Sequence, residues 1–183
     1  LWNVARLVLM NADGVEIDRA PLPGDDPFDR WVLSRLDGLV ESVTAAIEGY
    51  RPSEAIRGVY DFTWKELADW YLEAAKPRFR LAPDDPARRQ AVSVAMRCLD
   101  VVVRLLHPFM PFVTQAIWDL LPGGGVPLIA RTADPTWPAA SGGQDRGLDS
   151  SMAAFFEVVR RLRDARKEMG VGERETIPGT RRQ

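Results

Sequence analysis

The chain has 183 residues, 46% hydrophobic and 27% charged, with a net charge of −2 and a single cysteine. That is enough length and apolar content for a packed core, and too few cysteines for a disulfide framework, which fits a reducing compartment. No apolar run approaches the roughly 20 residues that cross a bilayer, no secretory signal opens the chain, and the charge balance confines nucleic-acid binding to a local basic face.

Residues 1–11 (LWNVARLVLMN) predict a short helix with Trp2, Ala5 and Leu9 inward and Asn3 and Arg6 three apart on the other side. Gly14 is positioned to end it in the left-handed conformation. The Pro- and Asp-rich stretch 15–26 predicts a loop. Asp26-Pro27 then opens a second helix, with Asp26 as cap and Pro27 at the first helical position. Phe28, Val32, Leu36, Leu39, Val43, Ile47 and Tyr50 recur at helical spacing along it. Ser53 is expected to cap a third helix running to about Pro77, whose inner face carries Val59, Phe62, Leu67, Trp70 and Ala74. Pro83-Asp84-Asp85-Pro86 opens a fourth helix to about 107, and Pro108 and Pro111 divide it from a shorter one over 112–121.

Residues 122–149 are rich in Gly, Pro, Ser and Asp, too long for an idle turn, and Pro127-Leu128-Ile129 and Pro135-Thr136-Trp137-Pro138 are candidate pins against the helices. A last helix, about 150–169, sets Met152, Phe155, Phe156, Val159, Leu162, Ala165 and Met169 on one face and Arg160, Arg161, Arg163, Arg166 and Lys167 on the other. Glu175-Thr176-Ile177 reads as the start of a strand. The expectation is an all-α, antiparallel helical bundle. It divides into a core at 1–121, an irregular crossing segment at about 122–149, and a final helix with the start of a truncated small domain at 150–183. Both ends read as cut from a longer protein.

Chemistry is sparse. His107 is the sole histidine and stands at a helix end, where a ring donor suits the last carbonyls. Cys98 falls on the apolar stripe. Gly123-Gly124-Gly125 lacks the Lys-Ser/Thr of a phosphate loop. No catalytic or metal-binding set emerges. Arg6 with Asn3, and Arg30, Trp31 and Arg35 at the start of the second helix, are the candidates for RNA contact. A splayed base is held by an aromatic ring or a guanidinium plane and read along its edges. Equally, Arg6 reads as a solvated charge and Trp31 as a core aromatic. The Arg160–Lys167 run reads either as a phosphate grip or as the wet face of its helix. Lys76, Arg78 and Arg80 form a second small basic cluster.

Five stretches in order resemble the anticodon-binding domain of class I aminoacyl-tRNA synthetases, and among them the valyl branch. They are Leu1–Asn11, Asp29–Leu36, Tyr60–Trp64 with Asp69–Glu73 and Lys76-Pro77-Arg78, Leu105–Phe112 with Ile117-Trp118, and Arg163–Met169. The resemblance implies a helical bundle that binds the anticodon stem and loop of a tRNA, expected to be that for valine, through Asn3, Arg6, Arg30, Trp31 and Arg35. It also implies a cytoplasmic ligase using ATP and Mg in a catalytic domain of the same chain. The HIGH and KMSKS signatures of that domain are absent here, so the stretch itself is expected to hold no cofactor. The same domain of the isoleucyl or leucyl enzyme, or a helical interaction bundle without RNA binding, are the alternatives.

Overall fold

A computed structural model describes residues 1–18, 21, 24–122 and 137–170. The Gly123–Gly125 run, the Pro127–Ile129 stretch and the strand expected at 175–177 lie outside them. The described residues are helical and contain no strand, as an all-α bundle requires. In chain order the helices are α1 (Trp2–Ala12), α2 (Pro27–Glu48), α3 (Pro52–Asp61), a π-helical stretch (Phe62–Leu72), α4 (Glu73–Phe79), α5 (Pro86–Leu106), α6 (Pro111–Trp118) and α7 (Arg146–Glu168). They fall into two compact units, Leu1–Asp145 and Arg146–Gln183.

In the first unit α5 is the centre. It packs on α1, α2, α3, α4, α6 and the π-helical stretch. Ala91 through Met96, Cys98, Leu99, Val101 through Val103, Leu105 and Leu106 are all buried, which leaves a narrow polar stripe of Arg97, Asp100 and Arg104. The two Asp-Pro starts behave as expected. Asp26 accepts hydrogen bonds from the Phe28 and Asp29 amides at 2.8 and 3.3 Å, and Asp85 accepts from the Ala87 amide at 2.8 Å. Gly14 ends α1 at φ +69°.

Three local expectations are corrected. Ser53 does not cap α3: the helix starts at Pro52, and its first residues are held by an Arg51–Glu54 ion pair at 2.8 Å. The third helix is not α-helical throughout. Its apolar positions Phe62, Leu67 and Leu72 recur every five residues, all buried, and the winding over Phe62–Leu72 follows them with the wider i→i+5 turn. The apolar march on α2 also stops short, because the helix ends at Glu48 and Tyr50 is 94% exposed.

That end is a Schellman closure. The Tyr50 amide donates to the Ile47 carbonyl at 3.0 Å and the Arg51 amide to the Ala46 carbonyl at 2.7 Å. It sets Tyr50 at φ +56°, in the position where glycine is preferred. A β-carbon in the left-handed region costs about 1–2 kcal/mol. Tyr50→Gly is therefore expected to stabilise the chain by about 1 kcal/mol, less whatever the freer unfolded glycine takes back. A urea-unfolding midpoint that falls instead would show that the tyrosine ring packs in a way its exposure conceals.

The second unit holds α7. Of the face expected to turn inward, Met152 and Phe156 are buried, whereas Phe155, Leu162 and Met169 are exposed. Amphipathic spacing identifies an apolar stripe but not whether anything covers it.

Candidate nucleic-acid interface

The α1 helix turns Val4, Ala5 and Val8 to α5 and α6. Its inner face is rotated from the expected Trp2–Ala5–Leu9 line, and this rotation frees Trp2. The indole is 50% exposed, one turn before the exposed Arg6, with Asn3 beside it and Met10 a turn beyond. Neither Asn3 nor Arg6 has an ion-pair or side-chain hydrogen-bond partner among the described residues. A guanidinium, an amide and an indole thus share one open face.

The residues expected at the start of α2 are placed differently. Trp31 is 4% exposed, inside the core, so it offers no ring face for stacking. On α1 the open indole is Trp2, which sequence periodicity assigns inward. Arg35 forms a forked pair with Glu66, 2.9 Å in both arms. Arg30 meets Asp145 at 3.2 Å. The Arg30–Asp145 pair is about half exposed on both sides, whereas Glu66 in the Arg35 fork is only 22% exposed. The main packing partners of α2 are α3, α5 and the π-helical stretch, so Arg30 and Arg35 belong to a different layer from Asn3 and Arg6.

Two buried polar assemblies hold α2. The first joins residues from three separate stretches of the sequence, Asp29, Tyr71 and Arg78. The Asp29 carboxylate, 0% exposed, receives both arms of the Arg78 guanidinium at 2.9 Å and the Tyr71 hydroxyl at 2.8 Å. The same hydroxyl lies 3.1 Å from the Ala91 carbonyl of α5. Arg78 also reaches Asp26, the α2 cap, at 3.4 Å. Burial, then the neighbouring Asp29 charge and its hydrogen bond, push the Tyr71 hydroxyl well above its ordinary range, against a smaller downward pull from Arg78. Arg78, part of the expected basic cluster, therefore serves the fold. Lys76, by contrast, makes an exposed pair with Glu73 one turn back on its own helix. Burial also pushes the Cys98 thiol up, as suits an inert core residue.

The second assembly is a strap. Residues 137–145 run along a polar stripe of α2 formed by Arg30, Ser34, Asp37, Glu41 and Thr44. The Trp137 indole N–H donates to Thr44 Oγ1 at 2.9 Å, the Gln144 amide to Glu41 at 2.7 Å, and the Asp145 backbone N–H to Ser34 Oγ at 2.8 Å. Asp37, 8% exposed, accepts from the Ser141 amide and hydroxyl and, at 2.8 Å, from the Gly143 amide. Gly142 between them takes φ +75°, a turn that brings both amides onto one carboxylate. Trp137 is the expected pin; the rest of the strap carries no short-range signal.

His107 Nδ1 lies 2.8 Å from Thr114 Oγ1, whose own proton goes to the Met110 carbonyl, so the ring closes the turn between α5 and α6. No group of three or more His, Cys, Asp or Glu among the described residues could hold a metal ion. No described helix is long and apolar enough to cross a membrane.

A family profile described as the anticodon-binding domain of tRNA ligase matches residues 29–180. The chain belongs to this family. The anticodon-binding domain is similar to a valine–tRNA ligase of Rhodopirellula baltica, 39% identical over 97% of the chain and 18% of the relative. A valine–tRNA ligase of Synechocystis is 38% identical over 93% of the chain and 19% of the relative. That of Symbiobacterium thermophilum is 38% identical over 97% and 21%. The domain thus spans about a fifth of the length of these curated relatives.

Proposed function

We propose that this domain binds the anticodon stem and loop of a tRNA through the open face of α1, with Trp2 as stacking surface and Asn3 and Arg6 as edge-reading groups. Arg30 and Arg35 supply phosphate contacts by exchanging their carboxylate partners, Asp145 and Glu66. Trp31 takes no part in contact and supports α2 from within. The larger protein is a cytoplasmic valine–tRNA ligase, whose ATP- and Mg-dependent esterification of valine to tRNA belongs to a catalytic domain outside this stretch. The observation that carries the reading is Arg6. It is an exposed guanidinium with no carboxylate partner among the described residues, beside a half-exposed indole, in a chain of net charge −2.

The test is a fluorescence-anisotropy titration of a labelled valine anticodon hairpin at low salt. Arg6→Ala is expected to weaken binding by about tenfold and to flatten the salt dependence by about 0.7 in slope, the share of one single-strand phosphate contact. Trp2→Ala is expected to weaken binding comparably with the slope unchanged. Equal affinity for the valine hairpin and one with an altered anticodon would remove the recognition reading. Valine-dependent pyrophosphate exchange by the full-length protein tests the amino acid.

A further inference from the structure

A second aromatic surface stands at the end of α3 and the start of the π-helical stretch. The Tyr60 and Trp64 rings are parallel to within 6°, with centroids 6.2 Å apart. They are 58% and 45% exposed. Neither the Tyr60 hydroxyl nor the Trp64 indole N–H has a hydrogen-bond partner among the described residues.

The surroundings hold the pair in place. Phe62 and Thr63, between the two rings in sequence, are buried, and the Thr63 hydroxyl donates to the Val59 carbonyl at 2.7 Å. The α-helical winding gives way to the π-helical turn at Phe62, so the rings straddle the change of pitch, a feature that recurs at functional positions. Two rings that already order one another lose little further freedom when a third plane joins them.

The flanking charges choose the occupant. Arg57, one turn before Tyr60, is exposed and has no ion-pair partner among the described residues. Lys65, beside Trp64, meets Asp61 at 2.7 Å, with both side chains well exposed. An apolar protein partner would strand these charges, whereas a nucleotide presents a flat base to the rings and a phosphate to the cation. We propose that the Tyr60–Trp64 pair is a stacking platform for an unpaired base of the bound RNA, with Arg57 on the adjoining phosphate. The platform rests on the RNA-binding reading above and adds to it a second point of contact, on a different helix.

The experiment titrates the full chain with the labelled anticodon hairpin and with a fully paired RNA duplex of equal length. Trp64→Ala is expected to weaken hairpin binding about tenfold, with an unchanged salt slope and unchanged duplex binding, because the platform takes only splayed bases. Trp64→Phe keeps a ring and is expected to retain most of the affinity. Arg57→Ala is expected to flatten the hairpin salt slope by about 0.7. Circular dichroism of each variant should match the parent, since the altered side chains are exposed. If the unaltered chain binds the hairpin and Trp64→Ala binds it equally, or weakens hairpin and duplex alike, the platform is overturned while the RNA reading stands. If the unaltered chain binds no RNA at low salt, both fall.

Discussion

Asp29→Ala is expected to destabilise the domain by about 3–5 kcal/mol, the usual cost of removing one partner from a buried ion pair. The carboxylate is fully enclosed, and the Arg78 side chain that answers it is only 15% exposed. Without the acid, a nearly buried guanidinium and the Tyr71 hydroxyl both lose their acceptor, and the start of α2 loses its tie to α4. Asp29→Asn keeps the shape and one acceptor oxygen and should fall between. Urea unfolding monitored by tryptophan fluorescence reads both. A loss below about 1 kcal/mol for the alanine variant would mean that water reaches the cluster.

The same cluster makes stability fall in alkali. An unfolded tyrosine gives up its proton near pH 10, whereas enclosed Tyr71 holds on to its own well above that. Between those limits the native state binds more protons than the unfolded chain. The Tyr71 contribution is therefore complete below about pH 10 and is lost as pH rises through the native value. Cys98 acts in the same sense from about pH 8.5, where a free thiol ionises. Tyr71→Phe is expected to start less stable, by about 1.5–3 kcal/mol for the lost bond to a charged acceptor, and then to show a shallower decline above pH 10. An unchanged alkaline slope would remove Tyr71 as its cause.

Asp37→Ala is the second large effect. It leaves the Ser141 and Gly143 amides unanswered on α2, at about 1–3 kcal/mol. Because the Asp37 carboxylate grips a single segment, the expected signature is local. Amide exchange should accelerate across residues 137–145, with little change in α5, whose buried apolar packing is untouched. Uniform acceleration over both would show that the strap and the helices open as one.

What the sequence made legible was local. Asp26-Pro27 and Asp85-Pro86 each place a capping oxygen and a missing N–H in consecutive residues, so the helix starts at those sites need no knowledge of the rest of the fold. The all-α bundle follows from repeated apolar stripes of that kind. Which way a stripe faces is less local. On α1 the choice between Trp2 and Val4 for the inner line depends on the shapes of α5 and α6. On α2 the burial of Trp31 depends on neighbours far away in sequence. The candidate interface was therefore partly readable: Asn3 and Arg6 stand on an exposed face as expected, while the aromatic expected to serve RNA is in the core and another is outside. The Asp29–Tyr71–Arg78 cluster and the strap beyond Trp137 could not be read, since their partners lie 42 to 111 residues apart and each residue alone resembles surface decoration.

The strap has a consequence for the newborn chain. Asp37 leaves the ribosome 104 residues ahead of Ser141, its first strap donor. At ordinary synthesis rates of about 5–20 residues per second, that is a delay of roughly 5–20 s. Through that interval α2 can pair with α3 and dock on α5 while its polar flank stays wet and adjustable. The arrival of Ser141 and Gly143 is then a late clasp that fixes a helix whose apolar side is already home.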